Sequence, residues 1–415
     1  MKPVHLFLVL ILLTTMACTA LQVGIQTATP TLSHNATLTS SAMTATSPSS
    51  ATTLTASPSP ALPASPTPSP AAAASATPSP AAQVATTTPA VTASRTASPA
   101  PSLTPVSQNA YPYLDDRSTA TGVIQSLFNA INRKEFARAY SYWDSNNTGN
   151  NHVAPFATFE QGYATTHAIQ VKIGPVFHDE GAGQYYYSIG VLLKATQDDG
   201  TTQTYTACYN MHLGSPGAQA IPPFVPLLIE DGQASLAPSG SSDQSLLIHS
   251  CDGIARAAQP YPTAPITNTQ DISNRNYLDD RSDPALVLSS MFNAINRLEY
   301  VRAYSYWEMG SVQTPPFTQF QSGYASTASV VLTTGKVSSS GAAGSMYYTV
   351  PTVIVARTST GVTQTYAGCY ILRLADPLNQ TIPPFAPMAI HSASVKSYPN
   401  SSDHATLLAQ ACQGQ

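Results

Sequence analysis

Tyr277-Leu278-Asp279-Asp280-Arg281-Ser282-Asp283-Pro284, with Leu288, Met291, Phe292 and Ile295 behind it, is the stretch from which the fold is read. Ser282 and Asp283 offer capping oxygens, and Pro284 suits a first helical turn. The four apolar residues recur at helical spacing and mark one inward face. Asn296-Arg297 ends the pattern. A second short helix is expected from Glu299 to Trp307, with Tyr300, Ala303, Tyr304 and Trp307 on its apolar side. A third is expected from Phe317 to Tyr324, placing Phe317, Phe320 and Tyr324 inward. The period then changes to two. Ser329 to Gly335, Ser345 to Arg357, Val362 to Leu374 and Ala386 to Ser394 are rich in Val, Ile, Tyr and Thr and read as strands. Thr360-Gly361 sits where a hairpin needs a turn. Three helices followed by a meander predict an α+β domain with its helices on one side of an antiparallel sheet.

The same pattern occurs twice. Tyr113-Leu114-Asp115-Asp116-Arg117-Ser118 precedes the copy at Tyr277, and Phe128-Asn129-Ala130-Ile131-Asn132-Arg133 returns from Phe292 to Arg297. Arg138-Ala139-Tyr140-Ser141-Tyr142-Trp143 returns from Arg302 to Trp307, so the offset is 302 − 138 = 164 residues. It falls to 369 − 208 = 161 by Cys208-Tyr209 and Cys369-Tyr370, which puts three extra residues in the loop after Trp143. The copies span 109–255 and 273–415, with a Pro-containing linker at 256–272. Each is long enough to bury its own core, so the chain reads as two whole domains and not a short-period solenoid.

Cysteine use follows the duplication. Cys208 and Cys251 are 43 residues apart, as are Cys369 and Cys412. Four cysteines allow three pairings, and the repeated spacing favours Cys208–Cys251 and Cys369–Cys412 over the other pairings or reduced thiols. No CxxC pair is present to chelate zinc.

The N-terminal part is of another kind. Lys2, the apolar run Leu6–Leu13 and the small residues after it have the order of a secretory signal. Thr15-Met16-Ala17-Cys18 resembles a bacterial lipobox, with Thr15 where Leu is usual. The resemblance implies a lipid on Cys18, a signal at 1–18 and an extracytoplasmic, membrane-anchored protein; plain cleavage would make it secreted. Residues 19–108 are dominated by Ala, Thr, Ser and Pro, with Arg95 as the one Lys, Arg, Asp or Glu. Such a composition cannot bury enough apolar area to offset ordering, so it predicts a disordered tether. Over the whole chain of 415 residues only 9% are charged, against about 25% in average proteins. The 17 basic and 21 acidic side chains leave no basic excess, which argues against a nucleic-acid partner.

The long helix ending Phe-Asn-Ala-Ile-Asn-Arg, the short helix opened by Glu-Phe or Glu-Tyr, and the later Phe-x-x-Phe-x-x-Gly-Tyr resemble the nuclear transport factor 2-like superfamily. The resemblance spans both repeats. It implies a cone, in which a curved sheet and its helices surround a cavity, and members include both enzymes, such as ketosteroid isomerase and the SnoaL-like cyclases, and binding modules. No catalytic motif of those enzymes maps onto this chain. GxSxG, HExxH, P-loop and GxGxxG signatures are missing too, and neither a cofactor nor a metal centre is expected.

The duplication tests each candidate. His167, His178, His212 and His249 meet Ala328, Ser339, Arg373 and Gln410 in the second copy, and His152 also lies in the first. Chemistry shared by both copies would need His in both, so surface or structural roles are expected. Asp115-Asp116-Arg117 is repeated; a structural role is favoured over acid-base or cation chemistry, with the acids beside a positive helix end and the Arg clamping the chain there. The aromatics are the best binding clue. Tyr187, Tyr205 and Tyr209 match Tyr348, Tyr366 and Tyr370; alternating positions point to opposite sheet faces, so some must face inward, and these are the candidate pocket residues for a small molecule or glycan. The expected function is therefore non-catalytic binding or scaffolding, including protein partners or packing of the two domains on each other. The alternative is an exported enzyme of ketosteroid isomerase or SnoaL-like type, working in a cone lined by Tyr and Asp.

Overall fold

The computed structural model describes residues 110–145, 153–260, 276–311 and 313–414. The expected signal segment and tether, His152, most of the loop after Trp143 and the centre of the expected linker lie outside these residues.

The first repeat runs α1 (Ala120–Asn132), α2 (Phe136–Tyr140), α3 (Phe156–Gly162), β1 (Thr166–Gly181), β2 (Gln184–Gln197), β3 (Thr202–Gly214), β4 (Leu228–Leu236) and α4 (Asp243–His249), followed by a two-residue β5 (Gln259–Pro260). The second runs α5 (Pro284–Asn296), α6 (Tyr300–Tyr304), α7 (Phe317–Tyr324), β6 (Thr327–Thr334), β7 (Ser338–Ala342), β8 (Ser345–Thr358), β9 (Thr363–Ala375), β10 (Ala389–Tyr398) and α8 (His404–Gln410). Each sheet is an antiparallel meander, in the orders β4-β3-β2-β1-β5 and β10-β9-β8-β6, with β7 also on β8. The start of the expected linker belongs to the first sheet: Gln259 and Pro260 pair with His178 and Phe177.

The three N-terminal helices form as the pattern predicts. Asp283 caps α5 by accepting from the Ala285 amide at 2.8 Å, with Pro284 in the first turn. Leu288, Met291, Phe292 and Ile295 are all buried. They meet Val350 of β8, Tyr370 and Leu372 of β9 and Ile390 of β10. The first repeat has the same core, with Ile124, Leu127, Phe128 and Ile131 against Ile189, Tyr209, Met211 and Ile229.

Asn132 and Asn296, expected only to end a helix, tie it to the sheet. Asn132 accepts from the Ile169 amide at 2.7 Å and donates to the Ile169 carbonyl at 2.9 Å. Asn296 does the same with Val330 at 2.7 and 2.9 Å. The side chain behaves as one more backbone unit of the ladder.

One expectation needs correction, and one strand is added. Helices do not lie on one side only, because α4 and α8 cover the opposite sheet face. Leu407 of α8 packs on Val353 and Ala367 there. Gly190 lets α4 approach, since a Cβ at that position would lie 2.0 Å from Ser250 Oγ. The second sheet also holds a strand not read from the sequence, β7, set off from β6 by a break at 335–337. Pro351 stands on β8 at the break, where its carbonyl accepts from the Gly335 amide at 2.8 Å. In an antiparallel strand its missing N–H would point the same way, so the ladder loses a donor there.

Both disulfides have the expected pairing, Cys208–Cys251 and Cys369–Cys412. Each ties β3 or β9 to the residues just after the outer helix, closing that helix onto its sheet. No helix among the described residues is long and apolar enough to cross a membrane.

Candidate functional site

The Tyr residues do share a face in each sheet, the face that meets the N-terminal helices. Tyr209 and Tyr370 stand deepest, 5% and 4% exposed. Tyr209 lies edge-on to Phe128 at 6.3 Å and to Trp143 at 5.9 Å, and Tyr370 lies edge-on to Phe292 at 6.4 Å. Burial raises the phenol of Tyr209, with Tyr163 adding to it. Tyr187, Tyr205, Tyr348 and Tyr366 are half-buried and pack against the same cores. Tyr187 touches the His178 ring at 5.2 Å. A cavity of about 50 Å³ lies elsewhere, between the repeats, lined by Lys134, Phe136 and Glu160 of the first and Leu378, Gln380 and Thr381 of the second. Ligand pockets are usually about 300–1,000 Å³, so this space suits a few waters.

The histidines lie in separate local contacts. His167 is 3.6 Å from Asp198, and the exposed His249 is 2.8 Å from Asp252. His212 is 3.1 Å from Glu230. At the matching positions stand Arg373 and His391, both at 2.6 Å from Glu308. Hydrogen bonds from His391 and Arg373 overcome burial and hold the Glu308 carboxyl below its usual range. Charges have been exchanged between positions while the pairing is kept, which is the mark of a structural ion pair. Among the described residues no group of three or more His, Cys, Asp or Glu is placed to hold a metal ion.

The densest polar network surrounds the repeated Asp-Asp-Arg-Ser motif. Asp115 is buried, and its Oδ1 accepts from the Tyr142 hydroxyl at 2.8 Å. Tyr113 donates to Oδ2 at 3.3 Å, and Arg117 Nε is 3.6 Å away. Burial, and then the charge of Asp115, raise the Tyr142 phenol and keep it a neutral donor. Arg138, wholly buried, bonds Glu135 at 2.6 Å, Asn129 at 2.8 Å and the Leu114 carbonyl. The second copy reproduces this with Asp279, Tyr306, Arg302, Glu299, Asn293 and Leu278. Arg117 donates to the Ser141 carbonyl at 3.1 Å and hydroxyl at 2.9 Å, at the end of α2. Arg281 does so at Ser305.

The expected place of the motif beside a helix start is thus incomplete. Thr119 and Asp283 do the capping. The two motifs instead meet each other, antiparallel. The Arg117 amide donates to the Asp279 carbonyl and the Arg281 amide to the Asp115 carbonyl, each at 2.7 Å. The Asp115 amide donates to Ser282 Oγ and the Asp279 amide to Ser118 Oγ, each at 2.8 Å. Asp116 and Asp280 therefore face one another across a local two-fold. Repetition flagged this motif in the sequence, but nothing local could tell that each copy binds the other. Against family models, curated proteins and solved structures, the chain gives no match.

Proposed function

We propose that this chain is an extracytoplasmic lipoprotein. A lipid on Cys18 holds it at a membrane, residues 19–108 space it outward, and two nuclear transport factor 2-like cones serve as non-catalytic binding or scaffolding modules. One observation carries the non-catalytic reading: the middle of the helix-facing sheet surface, where a cone would hold substrate, is occupied by the protein's own Tyr209 and Tyr370. The two disulfides support an oxidising, extracytoplasmic setting.

Two measurements test the two halves. The intact mass of the protein from its native membrane should include a diacylglycerol on Cys18, and reduction should add about four hydrogens. A lipid-free mass would make it secreted. The apolar ring probe 1-anilinonaphthalene-8-sulfonate should not bind the folded protein saturably. Stoichiometric binding, lost in Tyr209→Ala or Tyr370→Ala variants that remain folded, would instead favour open cones and the enzyme alternative.

A further inference from the structure

The flanking bonds of the joint run from residue 117 to 279 and from 281 to 115, so Asp116 and Asp280 form a non-hydrogen-bonded antiparallel pair. Side chains approach most closely in such pairs, and like charges there oppose pairing. Each carboxyl is relieved only by the serine two residues further along its own motif. Asp116 Oδ1 accepts from the Ser118 amide at 2.8 Å and Asp280 Oδ1 from the Ser282 amide at 2.8 Å. Ser126 of α1 and Ser290 of α5 bind their backbones at 2.8 and 3.0 Å. Gly122 of α1 closes over Asp116, since a Cβ there would lie 2.5 Å from Oδ2. The charged and titratable groups nearest the pair are Asp115 and Asp279, Arg117 and Arg281, then Tyr113, Tyr142 and Arg138 with their counterparts Tyr277, Tyr306 and Arg302. The two closest guanidiniums are turned to Ser141 and Ser305 and lie over the rings of Tyr142 and Tyr306, 4.3 Å from each centroid.

We propose that the Asp116–Asp280 pair makes the joint between the repeats pH-responsive, tight while one carboxyl is neutral and loosened once both are ionised. Burial, and then the charge of Asp116, push the Asp280 carboxyl up to about 7. Burial raises Asp116 too, with Asp279 and Asp115 adding to it. Opening the joint returns these carboxyls toward the ordinary Asp value of about 3.9. Opening therefore releases a proton between those two values. The joint is tightest in acid, weakens by up to about tenfold per pH unit for each carboxyl that loses its proton on opening, and changes little above neutrality.

Amide hydrogen exchange on the full chain tests this, read at Arg117 and Arg281 and corrected for intrinsic base catalysis. Their protection should fall at least about tenfold from pH 4.5 to 7 and then level off. Asp280→Asn and Asp116→Asn should each make this fall smaller, because neutralising one member removes the repulsion while burial still raises the carboxyl that remains. Amides within α1 and α5 serve as the folding control. Constant protection in the unsubstituted protein, or an unchanged fall in both folded Asn variants, would overturn the proposal.

Discussion

The Tyr142 hydroxyl is buried with Asp115 as its partner, and the same pair recurs as Tyr306 and Asp279. A buried carboxylate needs such donors, and losing one leaves an unsatisfied group that costs about 1–3 kcal/mol. Tyr142→Phe should lower stability by that amount in urea unfolding at pH 7, and Tyr306→Phe by a similar amount. Arg302→Leu should cost more, about 3–5 kcal/mol, because it takes from the buried Glu299 the wholly buried one of its two charge partners and leaves only Arg297. A loss below about 1 kcal/mol would show that Arg297 alone satisfies Glu299 or that Glu299 takes up a proton. Leu288 and Phe292 were legible as core because a helical period is a local property. The Arg302 partner Glu299 lies only three residues away, but Asn293 and Leu278 were not legible, because they meet Arg302 only after the chain has turned back.

Among the elements, the helices with strong periods and the central strands were legible, and α4, α8 and β7 were not. The helices α4 and α8 have seven residues each, too few for a clear period. Their stability comes from the sheet they cover and the disulfide behind them. The sequence of β7, Ser-Ser-Ser-Gly-Ala, has little strand propensity and takes its conformation from β8. Replacing Cys208 and Cys251 together by Ala should therefore cost about 4 kcal/mol in the chain-entropy view, given the 43-residue separation. It should also speed amide exchange in α4 well before the sheet. Equal exchange in α4 with and without the bridge would mean that packing alone holds the helix.

At the scale of the molecule, four hydrogen bonds and one facing pair of acids join the repeats at their Asp-Asp-Arg-Ser motifs. Ser118 and Ser282 accept from the opposite repeat, and such a bond contributes about 1 kcal/mol. Replacing both by Ala should speed exchange of the Asp115 and Asp279 amides by about tenfold while leaving α1 and α5 protected. Unchanged exchange at the two amides would show that the backbone bridge holds without the hydroxyls. That some of the repeated Tyr residues face inward was legible, because strand alternation is local, but the strand register that puts all six candidates on one face was not. That Tyr209 and Tyr370 would be packed under Phe128 and Phe292 was not.

By itself the sequence determined the duplication, the helix-to-meander order and the cysteine pairing. Each of these rests on repeats, periods and spacings that the chain carries along its length. The tertiary structure decided the rest: the outer helices, the filled middle of each sheet face and the meeting of the two acidic motifs. Those depend on contacts such as Asp116 with Asp280, between residues 164 positions apart. Only the packed chain brings them within reach, and only there does burial change what a carboxyl does.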